Sequence, residues 1–237
     1  MLDPGAGKTK TGYLWALTRD DRGWNGGDPP AVVFTYAPGR SGSHAMDILT
    51  GFNGILQVDG YAGYDALAEP WRVGGTPLTL AYCWAHARRK LHDIYQKGGS
   101  EIAAEGLRSI AQIYKTEASI RGNAPEERLA IRQAQSAPLI ADFRKWLTHQ
   151  RSVVRENDPP DRFLILTTST KFRLGEKLGY IHRHWDGLQI FLTDGRVEMD
   201  TNPVENTIRP ITLHRKDALF APSRDFGPAK TLPGNGT

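Results

Sequence analysis

The pattern of hydrophobic and polar positions divides the chain into a first part with short strand-like runs and a middle with helical periodicity. Runs rich in aromatic and β-branched residues predict strands at 11–18 and 31–36, and shorter apolar runs predict strands at 55–58 and 78–84. The Gly- and Pro-containing segment 20–30 predicts a hairpin connection between the first two strands. With short helices expected between the later strands, this order predicts an α/β protein with a mixed sheet.

From residue 101 to residue 150 the chain has no strand-like run, and its apolar residues recur at helical spacing. The residues with this spacing are Leu107, Ile110, Tyr114, Leu139, Ile140, Phe143, Trp146 and Leu147. A further helical stripe contains Leu178, Ile181, Trp185 and Leu188. We therefore predict an all-helical insertion at 99–160 that separates two parts of a core at 1–98 and 161–220. Segment 221–237 has no apolar period and is expected to be a disordered tail.

Composition is that of a soluble globular protein and leaves room for a polyanionic partner. The chain has 237 residues, of which 39% are hydrophobic, and its 30 Lys and Arg outnumber its 26 Asp and Glu. This mildly basic balance permits a nucleic-acid partner without requiring one. Cys83 is the only cysteine, so no intrachain disulfide can form, and no apolar run is long enough for a membrane helix. We expect a cytoplasmic protein that does not contact a membrane.

Two carboxylates occupy positions at which metal binding is a reasonable hypothesis. Asp59 follows a predicted strand, which would hold hard oxygen ligands on a rigid support, as divalent metals require. The Asp-Gly pair at this position is also typical of a turn between two strands. Glu205 follows Asn202 and Pro203 at a predicted helix start, where Asn202 as N-cap and Glu205 at the third helical position would form a capping box. Local sequence leaves both alternatives open.

Basic residues form two clusters along the chain. The first cluster contains Arg88, Arg89 and Lys90, and the second contains Arg209, Arg215 and Lys216. Such clusters contact phosphate backbones and make binding salt-dependent, although each one alone also fits a solvated helix face. Cys83 and His86 have the spacing of zinc ligands, but no second pair follows with zinc-finger geometry.

Taken together, these stretches resemble the catalytic region of transposases of the insertion sequence 66 family (the TnpC type). The matching segments occur in the family's order and cover roughly residues 3–220; they are 7–15, 56–64, 83–90, 191–196, 202–205 and 208–216. The resemblance implies a ribonuclease-H-like fold, a mixed sheet flanked by helices, with a triad of two Asp and one Glu. The family's second Asp falls on Asp59, and its Glu falls on Glu205.

The resemblance also implies a chemistry and a set of partners. The reaction would be DNA cleavage and strand transfer, with Mg²⁺, or Mn²⁺ in its place, held by Asp59 and Glu205. One metal ion would activate water or a 3′-hydroxyl, and the other would stabilise the leaving oxygen. The implied partners are DNA, at the element ends and the target, and either full-length transposase or further copies in a homo-oligomer.

The sequence departs from the family pattern at several positions. The family's first Asp lies on a strand shortly before the segment that matches Leu2-Asp3-Pro4, so we expect that strand and that Asp to be missing here. Asn206 replaces an expected Arg, and the resemblance stops past Ala221. We therefore expect a truncated transposase that is inactive or nearly so. The alternative is a non-catalytic DNA-binding or regulatory remnant, and a two-carboxylate glycosidase is a more remote one.

Overall fold

The strands form two separate sheets in the part of the chain that the structure describes. This structure is a computed structural model that describes residues 12–156 and 170–217, with side chains at 12–153 and 173–211. Strand β1 (Tyr13–Arg19) pairs antiparallel with β2 (Ala31–Ala37), which confirms the predicted hairpin. Strand β3 (Ile55–Val58) pairs parallel with β4 (Thr79–Tyr82). No ladder joins the two pairs within the described residues, so the expected single mixed sheet is not formed there.

Helices contain most of the remaining described residues, and the protein is a mostly helical α/β protein. In chain order they are α1 (Gly42–Ile48), α2 (Trp84–Gly98), α3 (Glu101–Ser119), α4 (Pro125–Ile131), α5 (Ala137–Glu156), α6 (Thr170–Arg183), α7 (Trp185–Leu188) and α8 (Asn202–Asp217). Short 3₁₀ helices lie at Asp21–Trp24, Ala62–Leu67 and Ile190–Leu192, and a π-helical turn, Arg132–Ser136, joins α4 to α5.

Capping residues in the sequence explain where several helices begin and end. Ser41 precedes α1, and its hydroxyl accepts a hydrogen bond from the backbone N–H of Ser43. Gly99 ends α2 in the left-handed conformation at φ 63°. Ser100 then caps α3 by accepting from the Ala103 N–H at 3.3 Å. Pro125 occupies the first turn of α4, where no N–H is needed.

One hydrophobic core joins the helical segment 101–156 to α2, α6 and α7. Its buried members include Trp84, Leu91, Ile110, Ile113, Ile140, Phe143, Leu147, Leu178, Ile181, Trp185 and Leu188. The two predicted stripes therefore face this core, although Leu107, Tyr114, Leu139 and Trp146 are only partly buried. Because the helical segment shares its core with α2, packing does not separate it from the elements that precede it; the division at 99 and 160 stays a prediction.

A buried ion-pair network ties the helical segment to the chain that precedes α8. Arg132 is fully buried, and its guanidinium donates to both carboxylate oxygens of Glu117, at 2.9 and 2.6 Å. The same guanidinium donates to the carbonyl oxygens of Phe191 at 2.9 Å and Asp194 at 3.2 Å. Arg128, also fully buried, pairs with Glu198 at 2.8 Å. The network fixes segment 191–198 against α3, α4 and the π-helical turn.

None of the helices in the described residues is long and apolar enough to span a membrane. The predicted tail at 221–237 lies outside the described residues, as do the chain start and the segment 157–169.

Candidate functional site

Asp59 is an exposed carboxylate directly after β3. Its Oδ1 accepts a hydrogen bond from the Tyr61 N–H at 3.0 Å, and its carbonyl oxygen accepts from the Tyr180 hydroxyl at 3.2 Å. Gly60 adopts φ +86°, and a Cβ at this position would collide with the Tyr180 hydroxyl. Because β3 and β4 run parallel, this Asp-Gly pair does not form a hairpin turn. The carboxylate is therefore held at a rigid strand end. Its second oxygen, Oδ2, accepts no hydrogen bond from the described residues.

Two tyrosine hydroxyls lie close enough to Asp59 to respond to its charge. Burial and then the negative charge of Asp59 raise the pKa of Tyr180 to about 12. The same two causes, in the same order, raise the pKa of Tyr64 to about 12. Both phenols stay protonated at neutral pH.

Glu205 lies in the first turn of α8, but it does not form the predicted capping box. The carbonyl oxygen of Thr201 accepts from the backbone N–H groups of Val204 at 3.0 Å and Glu205 at 3.2 Å, so Thr201 occupies the N-cap position. Glu205 is consequently at the fourth helical position, one residue beyond the position that a capping box requires. Its side chain, 40% exposed, instead lies beside His86, with 3.7 Å between Oε1 and Nε2.

The start of α2 holds the chain segments that carry the two acids. The Cys83 N–H donates to the carbonyl oxygen of Val58, the residue before Asp59, at 3.2 Å. The Cys83 thiol sulfur accepts from the Thr201 N–H at 3.3 Å, and the Trp84 N–H donates to the Met199 carbonyl oxygen at 3.0 Å. The strand that ends at Asp59 and the turn that opens the Glu205 helix therefore both bind the same residue.

A side-chain amide on β3 also binds the segment before α8. Gln57 Nε2 donates to the carbonyl oxygen of Glu198 at 2.6 Å, and Gln57 Oε1 accepts from the Glu198 N–H at 3.2 Å. This reciprocal pair of hydrogen bonds joins the side chain of Gln57 to the backbone of Glu198. It fixes Glu198 beside β3 and thereby limits how far the start of α8 can move from the strand end.

Asp200 is a largely buried acid that the sequence does not single out. Its Oδ1 accepts from the Ala85 N–H at 2.9 Å and from the Tyr114 hydroxyl at 2.7 Å, while Oδ2 accepts from Asn202 Nδ2 at 3.1 Å. Burial raises the pKa of Asp200, and burial together with the charge of Asp200 raises the pKa of Tyr114. The residue joins α2, α3 and the start of α8. Its partners lie far apart in the sequence, so no local pattern could have revealed them.

Asp200 should make the stability of the protein depend on pH in a defined direction. Because burial raises the folded-state pKa of Asp200 above the ordinary pKa of an Asp side chain, the folded state binds the proton more tightly than the unfolded state. The contribution of the protonated group to stability is complete below the unfolded-state pKa and declines as pH rises through the folded-state pKa. We expect the free energy of unfolding of the parent, relative to Asp200→Asn, to fall over this range. Urea unfolding of both proteins at a series of pH values measures this difference. A difference in the free energy of unfolding that does not change with pH would contradict the prediction.

The predicted DNA contacts are only partly described. Arg88 and Arg89 are exposed on α2, Lys90 is half-buried with its Nζ 4.6 Å from the centre of the Tyr180 ring, and Arg209 is exposed on α8. Arg215 and Lys216 lie within α8, and their side chains are outside the described residues. Within the described residues, no three His, Cys, Asp or Glu side chains form a group that could hold a metal ion.

Comparison with known proteins identifies the family of this chain. The model of the transposase IS66 family matches residues 1–229, so the chain belongs to that family. It is 39% identical to the uncharacterized protein y4jD of Sinorhizobium fredii over 220 residues, which are 92% of this chain and 40% of that protein. It is 38% identical over 229 residues to y4qI of the same organism, again 40% of the relative. The chain thus spans about 40% of these curated relatives, and no solved structure matches it.

Proposed function

We propose that this chain carries two acids, Asp59 and Glu205, of the catalytic centre of a Mg²⁺-dependent transposase that cleaves DNA and transfers strands. The observation that carries the proposal is the shared attachment of both acid-bearing segments to Cys83 at the start of α2. Membership of the transposase family supplies the reaction class and DNA as the partner. Because the curated relatives are longer than this chain, the activity is proposed for the whole protein.

The two sheets fit a ribonuclease-H-like arrangement with one strand outside the described residues. An antiparallel hairpin and a parallel pair are the two halves of a mixed sheet, and one strand between β1 and β3 would join them. In the described residues neither of these two strands has a second ladder partner. Trp15 and Leu17 on β1 already pack against the cluster that contains Val58. We propose that this position belongs to the strand that carries the third acid of the triad.

The donor atoms suit Mg²⁺ in kind. Carboxylate oxygens are the ligands that Mg²⁺ takes from proteins, and it keeps several positions for water and phosphate. Asp59 is exposed, and Glu205 is partly exposed with His86 beside its carboxylate. Bound Mg²⁺ would supply activation of the attacking oxygen and stabilisation of the leaving oxygen. The protein's own contribution is to hold the two carboxylates on a strand end and a helix start, which do not need to reorganise.

Metal binding tests the assignment of the two acids. We expect Mn²⁺, observed through the loss of its free-ion signal in electron paramagnetic resonance, to bind the parent chain. Asp59→Ala and Glu205→Ala should each weaken this binding by about tenfold or more, because each removes a ligand. Asp142→Ala removes an exposed carboxylate that pairs with Lys145 and serves as the control. Equal Mn²⁺ binding by all four proteins would contradict the assignment.

A second candidate function is a non-catalytic DNA-binding or regulatory protein derived from a transposase. The observation in its favour is that no three His, Cys, Asp or Glu side chains within the described residues form a group that could hold a metal ion. Nicking of a labelled duplex that carries an element end separates the two candidates. Mg²⁺-dependent nicking that is lost in both alanine variants supports the catalytic function. DNA binding that does not depend on Mg²⁺ or on either substitution, in the absence of nicking, supports the regulatory function.

A further inference from the structure

Two cations lie over tyrosine rings at the turn that contains Asp59. The guanidinium carbon of Arg40 is 5.4 Å from the centre of the Tyr61 ring, and Lys90 Nζ is 4.6 Å from the centre of the Tyr180 ring. A cation within about 6 Å of an aromatic centre is attracted to the ring face. Across the described residues, neither cation forms a salt bridge with a carboxylate.

Both tyrosines are hydrogen-bonded to Asp59, Tyr61 through its backbone N–H and Tyr180 through its hydroxyl, so both cation-bearing rings lie close to this residue. Tyr61 donates its N–H to Asp59 Oδ1 at 3.0 Å, and its hydroxyl donates to the carbonyl oxygen of Arg40. Tyr180 donates its hydroxyl to the carbonyl oxygen of Asp59 at 3.2 Å. The Arg40 backbone and guanidinium therefore both contact the residue that follows the Asp-Gly pair, and Lys90 contacts the ring that covers it.

We propose that Arg40 and Lys90 bind two backbone phosphates of the DNA strand whose phosphodiester lies at Asp59. The inference rests on the proposed function, which supplies DNA as the substrate. A metal held by Asp59 would neutralise the reacting phosphate, which leaves the neighbouring phosphates to protein cations. Arg40 can bind a phosphate through two parallel N–H groups, whereas Lys90 supplies a point charge. Lys90 belongs to a basic cluster visible in the sequence, but Arg40 stands alone in a turn and has no such signal.

The two tyrosines act as positioning residues for these cations. A long flexible side chain loses rotamer freedom when it binds a phosphate, and a ring that already holds the cation reduces that loss. Tyr61→Phe keeps the ring and loses only the hydroxyl hydrogen bond to Arg40, so it should weaken DNA binding less than Tyr61→Leu, which removes the ring as well. Tyr180→Phe and Tyr180→Leu should differ in the same way through Lys90.

The test measures DNA affinity as a function of salt without any divalent metal. The 237-residue chain, Arg40→Gln and Lys90→Gln are titrated against a short labelled duplex by fluorescence anisotropy, with a chelator present. Each substitution should reduce the slope of log affinity against log salt by about 1, and the affinity by about eightfold at about 0.1 M salt. Lys97→Gln, an exposed charge further along α2, is the control and should leave both values unchanged.

Three results would overturn the inference. They are an unchanged slope in both variants, an equal loss in Lys97→Gln, and no salt-dependent binding by the parent chain. The assay contains neither metal nor a cleavage step, so its outcome is separate from that of the Mn²⁺ experiment. If both variants reduce the salt slope but Mn²⁺ binding is unchanged in Asp59→Ala and Glu205→Ala, the phosphate contacts are supported and the proposed catalytic pair is rejected. If the salt slopes are unchanged but both alanine variants bind Mn²⁺ more weakly, the catalytic pair is supported and the phosphate contacts are rejected.

Discussion

Replacing Arg132 with Met is expected to lower the free energy of unfolding by about 3–5 kcal/mol. The guanidinium is fully buried and donates four hydrogen bonds, two to the Glu117 carboxylate and two to backbone carbonyl oxygens. Its loss leaves a carboxylate that is 10% exposed with a weaker contact, Arg128 at 3.8 Å. A buried charge without full pairing is far more costly than the pair is stabilising. Chemical denaturation of the parent and the variant measures the difference.

The matched control is Arg108→Met. Arg108 forms a 2.7 Å pair with Glu101, but both side chains are largely exposed and screened by water, so its loss should leave the free energy of unfolding nearly unchanged. The double variant Arg132→Met with Glu117→Leu should recover part of the loss, because it removes the uncompensated carboxylate as well. A cost for Arg132→Met no larger than that of the control would show that the network does not hold the helical segment in place.

The sequence predicted local structure best where one physical rule acts alone. The hairpin formed by β1 and β2 follows from β-branched strands around a Gly- and Pro-rich connection. The stripe from Leu178 to Leu188 predicted buried positions correctly, although the helix divides at His184 into α6 and α7. The helical periodicity of the apolar residues therefore predicts which positions are buried. It does not predict a one-residue break in the helix, because such a break leaves the apolar spacing unchanged.

Residues whose roles depend on distant partners could not be predicted. Arg128 and Arg132 look like exposed helical cations, yet both are buried because Glu117 and Glu198 meet them from other elements. Asp200 has the same character, since its donors come from α2, α3 and the start of α8. Sequence spacing carries no information about such contacts.

The candidate site shows the same division between local and distant information. Asp59 was placed correctly at a strand end, because an apolar run followed by Asp-Gly is a local pattern. The capping role considered for Glu205 was wrong by one residue in the helix start, since Thr201 and not Asn202 supplies the first carbonyl acceptor. The thiol of Cys83 accepts from the Thr201 N–H and so helps to fix that start. A residue more than a hundred positions earlier in the chain therefore helps to determine where α8 begins.

Trp84→Ala is expected to lower the free energy of unfolding by about 3–5 kcal/mol, since the side chain is fully buried where α2 begins. Its ring contacts Phe143 at 5.6 Å and Trp185 at 6.3 Å between centres, and its indole N–H donates to the Leu188 carbonyl oxygen at 2.7 Å. Truncation would leave a cavity between α5 and α7 and an unsatisfied carbonyl oxygen.

Trp71→Ala provides a control with the same chemistry, since Trp71 is 61% exposed and should cost no more than about 0.5 kcal/mol. The comparison also tests how the site is supported. Trp84 follows Cys83 directly, and its own N–H holds Met199, so the cavity lies beneath the residues that fix both acid-bearing segments. We therefore expect Mn²⁺ binding to weaken in Trp84→Ala even at temperatures where the variant is folded. Intact metal binding in the folded variant would show that the start of α2 holds the two carboxylates without support from the core.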